Sequence, residues 1–289
     1  MKNLTARIVV SAAITAALAW TPALAADLGA APAPVYTKAP PAVVEPTWAG
    51  FYGGLNLGAA GESSSSTTST VNNPRGYFNI DASHAVNALG QQPQSLSSSG
   101  LTGGFQAGYN WQVDRLLVGV EGDVEALSLR GSTAFTGVYP YTTATFTISS
   151  NIASNWLATA RGRLGFVAGN WLFFGTGGAA FSDLKASWGF SDTCGTNITC
   201  NGPNAPNVAE AASASVRAGW TVGGGIENRL FDRWSWKLEY LYVNFGSVSG
   251  MGIMTPPSVF GFPTNLNPFS HSTSALEINL IRAGLNYHF

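Results

Sequence analysis

Eight segments of this chain alternate apolar residues with small or polar ones at every second position. They span residues 49–61, 99–113, 116–130, 154–168, 171–189, 214–229, 234–246 and 274–289. A period of two is typical of β-strands that have one apolar face. The connections between successive segments contain 37, 2, 23, 2, 24, 4 and 27 residues. Long and short connections therefore alternate without exception, which predicts antiparallel strands whose short turns all lie at one end.

This sorting of the connections favours a membrane barrel over a soluble β-sandwich. Outer-membrane barrels have tight periplasmic turns and long extracellular loops, whereas the loops of a sandwich need not sort by length. The short connections are Asp114-Arg115, Gly169-Asn170 and 230–233. Charged residues make up only 10% of the chain, well below the roughly 25% of soluble domains. We predict an all-β fold, an eight-stranded antiparallel transmembrane β-barrel with short periplasmic turns and long extracellular loops.

The beginning of the chain has the pattern of an export signal. An apolar stretch from Ile8 to Trp20 follows a positively charged start, and Ala23-Leu24-Ala25 fits a small-x-small cleavage site. The next stretch is rich in Ala and Pro, which cannot extend a sheet ladder. We therefore assign a signal peptide to 1–25, a periplasmic tether to 26–47 and the barrel to 48–289.

Ten charged residues lie on the strand face opposite to the apolar face. They are Glu121, Asp123, Glu125, Arg161, Arg163, Arg217, Glu227, Lys237, Glu239 and Arg282. A cation that faces lipid near mid-membrane costs about 2–4 kcal/mol, so we expect these side chains to pair inside the barrel. Counted from the short turns, equal heights match Glu121 with Arg163 and Asp123 with Arg161. Since side chains can fill an eight-stranded barrel, the pattern predicts a lumen plugged by ion pairs.

Aromatic residues collect near the short turns. They are Trp111, Trp171, Trp234, Trp236, Tyr287 and Phe289. Amphipathic rings prefer the interface between lipid head groups and acyl chains. We therefore predict an aromatic girdle at the periplasmic side of the membrane.

The chain has two cysteines, Cys194 and Cys200, with five residues between them in the third long connection. Export to an oxidising compartment favours a local disulfide. Metal ligation is the alternative, but no histidine lies nearby in sequence to complete a site. We expect no metal site and no cofactor. With 14 basic and 15 acidic residues, the chain lacks the basic footprint of a nucleic-acid-binding protein.

Several stretches carry a family resemblance. They are Ala25-Ala26-Asp27-Leu28, Trp48-Ala49-Gly50-Phe51-Tyr52-Gly53-Gly54, residues 170–178, Lys237-Leu238-Glu239-Tyr240-Leu241-Tyr242 and residues 282–289. These stretches resemble the alphaproteobacterial outer-membrane immunogenic proteins, a porin family of small OmpA-like β-barrels. The resemblance implies a location in the outer membrane of a Gram-negative bacterium, with roles in envelope integrity and surface antigen display.

The resemblance also implies partners. The C-terminal Phe289 resembles the signal that is read by the barrel-assembly machinery of the outer membrane. Outer-membrane lipid and lipopolysaccharide are expected to surround the barrel, and the tether is a possible contact with the cell wall.

Three other functions compete with a structural role. A lipid hydrolase needs a serine, a histidine and an acid in contact, and His271 between Ser270 and Ser272 is the only candidate that we find in the sequence. A wide channel needs more strands, so a channel here would be narrow and of low conductance. Surface recognition would use the long loops, the first of which carries a Ser/Thr tract, 62–70, that we predict to be flexible. We favour a non-enzymatic structural barrel that displays antigenic loops.

Overall fold

The computed structural model describes residues 47–71, 78, 80–141, 143–193, 207–214, 216–253 and 268–289. They belong to one unit that runs from Glu45 to Phe289. The predicted signal peptide, all of the tether except Thr47, and both Cys194 and Cys200 lie outside the described residues. The export signal, the tether and the disulfide therefore stay predictions.

The described residues form twelve strands and one helix. The strands are β1 Gly50–Thr70, β2 Gln94–Val113, β3 Leu116–Val138, β4 Thr145–Ala168, β5 Trp171–Ser182, β6 Lys185–Asp192, β7 Asn207–Ala214, β8 Arg217–Phe231, β9 Trp234–Asn244, β10 Ser249–Ile253, β11 Pro268–Thr273 and β12 Glu277–His288. Helix α1, Ile80–Gly90, lies between β1 and β2. No helix within the described ranges has the length and apolar character needed to cross a bilayer.

Eight of these strands close into a ring. The order around the ring is β1, β2, β3, β4, β5, β8, β9, β12 and back to β1, and every neighbouring pair is antiparallel. Glycines on the inward face permit the tight curvature, since a Cβ on Gly104 would lie 2.1 Å from the carbonyl oxygen of Val124. The ring confirms the predicted eight-stranded antiparallel barrel.

Three two-residue turns close the barrel at one end and share one backbone conformation. The first residue of each turn has a positive φ, 52° at Asp114, 59° at Gly169 and 44° at Asp232. The third turn is shorter than the sequence suggests because β8 continues to Phe231.

A band of exposed apolar side chains surrounds the lower part of the ring. On β1 and β2 it includes Phe51, Leu55, Leu57, Leu101 and Phe105. The predicted girdle residues Trp111, Trp171, Trp234, Trp236 and Tyr287 lie at the short-turn end of this band, with ring pairs such as Trp171–Trp236 at 5.7 Å. A second set of rings, which the sequence analysis missed, borders the other edge: Trp156, Trp220 and Tyr242. Two aromatic rims around an apolar band are typical of a membrane-spanning barrel.

Above the second rim the strands continue, which corrects the prediction of flexible loops. Strands β1 to β4 run on without leaving the sheet, and β6, β7, β10 and β11 extend it on the other side. The tract 62–70 is the outer end of β1, where Glu62, Ser64, Ser66 and Thr68 point inward and are buried. Hydroxyl side chains can pair across strands as well as meet water, so a Ser/Thr tract here forms a strand.

Apolar side chains fill the interior at three levels. The lowest level comprises Trp48, Leu117, Val167, Leu172 and Phe174. A middle level includes Leu157, Leu241, Val243, Ile278 and Leu280. The outermost level includes Phe78, Val86, Phe146, Phe190 and Phe269. Helix α1 contributes Val86 to this last level and therefore packs on the inward-facing side chains at the outer ends of the strands.

Candidate functional site in the barrel interior

Between the lowest and middle apolar levels, the inward faces of five strands carry charged side chains. Nine of the ten charged residues singled out from the sequence lie here and are almost completely buried: Glu121, Asp123, Glu125, Arg161, Arg163, Glu227, Lys237, Glu239 and Arg282. We call these nine residues the ion network. Each side chain points into the interior because it occupies one of the alternate positions that face inward on its strand, which we call the inward parity.

Arg161 is at the centre of the network. Its guanidinium group lies 2.5 Å from Glu121, 2.8 Å from Asp123 and 2.6 Å from Glu239. It also donates to the Thr176 hydroxyl at 3.0 Å. One cation on β4 therefore holds two carboxylates of the neighbouring strand β3 and one carboxylate of the more distant strand β9. Charge-assisted hydrogen bonds of this kind are stronger than neutral ones.

Arg163 links the network to its lower edge. It pairs with Glu227 at 2.5 Å, and its guanidinium carbon lies 3.9 Å from the centre of the Phe174 ring. It also donates to the Tyr52 hydroxyl at 3.3 Å, while that hydroxyl donates to Glu121 at 2.6 Å. The Tyr52 hydroxyl group therefore joins Glu121 to Arg163, and Arg163 in turn binds Glu227.

Lys237 and Arg282 close the network from the other side of the ring. The Lys237 ammonium lies 3.0 Å from Glu121 and 3.3 Å from Glu239. Arg282 lies 3.0 Å from Asp123 and 2.8 Å from Glu239, and it also pairs with Glu125. Cations from β4, β9 and β12 therefore share carboxylates, and the network spans the interior.

One detail of the sequence interpretation differs from the structure. Glu121 lies directly opposite Arg161, not Arg163, because neighbouring strands are staggered. The Glu121–Arg163 separation is 3.9 Å, whereas the predicted pair of Asp123 with Arg161 is present at 2.8 Å.

Arg217, the tenth predicted member, does not reach the network. It has the inward parity but begins β8, ten residues above Glu227 and opposite Ser182, and it is only half-buried. The alternation along the strand correctly predicted which face carries Arg217. It did not predict how far along the barrel axis Arg217 lies.

Several polar residues of the site were missed by the sequence analysis. Ser235 and Asn286 donate to the Glu227 carboxylate at 2.6 and 2.8 Å. His288 lies 2.9 Å from the Ser235 hydroxyl. All of them, like Tyr52, stand on the inward parity of predicted strands, so the same alternation could have identified them.

Trp48 lies in the interior below the network. Its side chain is fully buried, and its ring lies 5.4 Å from His288 and 4.8 Å from the Arg229 guanidinium carbon. Its main chain is held from both sides, because its N–H donates to Gln112 at 2.7 Å and its carbonyl accepts from Asn110 at 3.2 Å. The chain therefore enters the barrel from the side of the short turns.

A smaller polar group lies in the outer interior. The Thr68 hydroxyl lies 2.9 Å from His271 Nδ1, and the His271 ring stacks on Trp188 with centroids 5.7 Å apart. Burial lowers the pKa of His271 to about 4. Ser270 and Ser272 point to the outer face of β11 while His271 points inward. The proposed Ser–His neighbours are therefore on opposite sides of the sheet.

Phe289 ends the chain beside β1. Its N–H donates to the carbonyl of Phe51 at 3.0 Å, and its side chain is exposed to 75%. Its ring contacts Tyr287 at 5.2 Å, so it continues the aromatic rim at the short-turn end.

The chain is similar to known outer-membrane proteins. The 31 kDa outer-membrane immunogenic protein of Brucella melitensis is 29% identical over 97% of this chain and 99% of its own length. The 22 kDa outer membrane protein of Rhizobium leguminosarum is 29% identical over 51% of this chain and 54% of its own. Among solved structures, OprG of Pseudomonas aeruginosa has a TM-score of 0.41 at 13% identity, covering 83% of this chain and 97% of that chain.

The model of the outer membrane protein beta-barrel domain matches residues 22–289. That match covers the ring, both aromatic rims and the ion network. The chain belongs to the outer membrane protein beta-barrel domain family, and its location is the outer membrane of a Gram-negative bacterium.

Proposed function

We propose that this protein is a structural, non-enzymatic barrel of the outer membrane that contributes to envelope integrity and displays surface antigens. Its lumen is closed by the ion network together with the apolar levels above and below it. The relatives named as immunogenic outer-membrane proteins support display at the cell surface.

The succession of side-chain layers inside the barrel is the observation that supports a closed lumen. Four layers follow one another from the short-turn end: Trp48 and its neighbours, the ion network, the Leu241 level and the Phe269 level. An eight-stranded barrel has just enough room for side chains. Solutes would therefore have to displace paired charges or a packed aromatic cluster.

Conductance across a planar bilayer tests the closed lumen. The refolded full chain is expected to give no conductance, or only rare small steps, because the ion network and the apolar levels occupy the described part of the interior. A variant without residues 80–90 removes helix α1 and leaves the ion network, so it is expected to stay closed as well. Stable openings of porin size in the unmodified protein would contradict the proposal and favour the channel alternative.

Envelope integrity and display are tested in cells. Loss of the protein is expected to sensitise cells to detergents, and expression of the full chain is expected to restore resistance. An epitope tag inserted beside Tyr141, which is exposed to 94% in a turn at the outer end, should be labelled on intact cells. Normal resistance in the deletion strain, or a tag that is reached only after lysis, would contradict these roles.

The absence of catalysis is also testable. His271 is buried and bonded to Thr68, and its sequence neighbours Ser270 and Ser272 face away from it. The purified barrel is expected to leave lipid A acyl chains intact. Deacylation that disappears in His271→Ala would show that an enzyme had been overlooked.

The same proposal includes the partners expected from the sequence. The apolar band would contact outer-membrane lipid, the outer extension would meet lipopolysaccharide, and the tether could touch the cell wall. The exposed Phe289 ring at the end of the last strand is accessible to the barrel-assembly machinery. Replacing Phe289 with Ser is expected to reduce the folded, heat-modifiable form in the outer membrane, and an unchanged amount would remove this role.

A further inference from the structure

A groove of about 560 Å³ lies beside the turn that joins β8 to β9. It is lined by Phe231, Asp232, Arg233, Trp234 and Tyr287. The Trp234 and Tyr287 rings meet edge to face at 5.2 Å. The groove therefore combines aromatic walls with one acidic and one basic side chain, at the level where lipid head groups meet the short-turn end of the barrel.

The two charges in this groove are not used by the fold. The turn is held through its main chain, since the Asp232 carbonyl accepts from Arg229 at 3.1 Å and the Arg233 carbonyl accepts from the His288 N–H at 2.8 Å. Both side chains are exposed, and within the described part of the chain neither takes part in an ion pair. The contrast with the fully paired ion network is complete.

The first residue of this turn has a left-handed backbone conformation. Asp232 adopts a φ of 44°, while Gly169 adopts 59° at the equivalent position of another turn. Glycine occupies this conformation freely, and aspartate is one of the few other residues that adopt it routinely in turns.

The first turn repeats the same pair, Asp114-Arg115, with Asp114 at a φ of 52°. The Arg115 carbonyl accepts from Val167 at 2.7 Å, just as the Arg233 carbonyl accepts from the next strand. Two of the three turns therefore place an aspartate and then an arginine in the same geometry at the same rim.

We propose that the groove at Asp232 and Arg233 binds the head group of a zwitterionic phospholipid of the phosphoethanolamine type. The guanidinium group would hold the phosphate and the carboxylate would accept hydrogen bonds from the ammonium. The aromatic walls would lie against the glycerol region, where such rings are favoured. An anionic head group would meet repulsion from Asp232, and a phosphocholine ammonium has no N–H to donate.

Native mass spectrometry of the refolded full chain in detergent micelles tests this site. The protein is titrated with phosphoethanolamine, phosphocholine and phosphoglycerol lipids of identical acyl chains. The variant D232G/R233N gives the turn the sequence of Gly169-Asn170, which the same barrel already accommodates. Wild type is expected to retain the phosphoethanolamine lipid best, and the variant to bind it about tenfold more weakly, as expected from losing two exposed charge contacts.

Two controls separate the site from general effects. Arg130→Asn removes an exposed cation far from the groove and should leave lipid retention unchanged. Asp232→Asn keeps a residue that tolerates a positive φ and should abolish the preference for phosphoethanolamine over phosphoglycerol. Equal retention by wild type and D232G/R233N, no preference among head groups, or a preference for phosphoglycerol in wild type would each overturn the proposal.

Discussion

The interior of the barrel at the membrane level is dominated by paired charges, whereas the interior of its outer extension combines apolar side chains with hydroxyl groups. At the membrane level, Arg161 and Glu239 point inward while residues such as Leu164 face lipid. In the extension of the same strand β4, Ile148 and Ile152 point inward and Asn151 faces outward. Along this one strand, the inward side chains therefore change from charged residues to a mixture of isoleucines and serines.

The surroundings of the two halves, the membrane level below and the outer extension above, explain the difference between their inward side chains. Lipid outside the lower half makes an outward charge costly, so polar side chains collect inside and must pair. Water outside the upper half removes that restriction, and burial of apolar side chains in its interior becomes the main stabilising contribution. We therefore expect the lower half to depend on paired charges and the upper half on packing and a few neutral hydrogen bonds.

Removal of the central cation should produce the largest effect. Arg161→Ala would leave Glu121, Asp123 and Glu239 without their shared partner, and breaking a buried ion pair in this way costs about 3–5 kcal/mol. Urea unfolding of the refolded barrel in detergent, followed by tryptophan fluorescence, measures the loss.

The matched control for this prediction is Arg130→Ala, which removes an exposed arginine of the outer extension. Its side chain makes one long hydrogen bond, 3.4 Å to Asn155, so its effect should stay within about 0.5 kcal/mol. Equal shifts for the two variants would show that the ion network does not stabilise the lower half.

Acidification should affect the upper half next in size. The pKa of His271 is lowered by burial to about 4, from about 6.5 in an unfolded chain. Between these values the opened chain binds a proton that the closed extension does not. The stability of the extension is therefore present above pH 6.5 and declines as the pH falls toward 4, by up to about 3 kcal/mol.

Hydrogen exchange of the outer amides of β1 and β11, corrected for intrinsic rates, measures this decline. His271→Phe keeps an aromatic ring against Trp188 and removes the titrating group, so its exchange should depend much less on pH. A wild-type pH dependence that persists in His271→Phe would assign the effect to another group.

The smallest effect concerns the attachment of helix α1. Asn87 accepts from the Thr70 N–H at 2.8 Å and donates to the Thr70 carbonyl at 2.9 Å. Asn87→Ala removes both bonds and should weaken the closure of the helix by about 1–2 kcal/mol. Limited proteolysis within residues 80–93 should accelerate about tenfold, since 1.4 kcal/mol corresponds to a factor of ten.

The urea midpoint of the lower barrel should not change in Asn87→Ala, because the helix packs only on the outer interior. Asp81→Asn, an exposed change in the first turn of the same helix, serves as its control. Equal proteolysis of both variants would contradict the role of the Asn87 contacts.

Most of the ring could be predicted from the sequence, and most of the extension could not. At the membrane level, hydropathy distinguishes the two strand faces, as Val120 and Glu121 or Leu164 and Arg163 illustrate. In the tract 62–70 both faces carry hydroxyl groups, so Ser63 outside and Ser64 inside have the same hydropathy. Strand pairing there depends on neighbours that are distant in sequence, and a periodicity argument does not detect it.

The site shows the same limit. Parity identified the buried charges, but the stagger between strands set their partners, which is why Glu121 faces Arg161. Arg217 was assigned to the network because parity contains no information about height. Tyr52 was overlooked because a tyrosine in a barrel strand suggests a lipid-facing ring, although its hydroxyl group joins Glu121 to Arg163.

The distribution of charge over the hairpins has a consequence for how such a chain can enter a bilayer. Strand β3 contributes three carboxylates to the network and β4 two guanidinium groups, while β8 with β9 contributes two carboxylates and one ammonium, and β12 one guanidinium. No hairpin that contributes to the network would be neutral if it were inserted alone, and each would expose uncompensated charge to acyl chains until its counterpart arrived. Insertion one hairpin at a time is therefore disfavoured, and the sheet must curl shut in nearly one concerted event before it is released into the membrane.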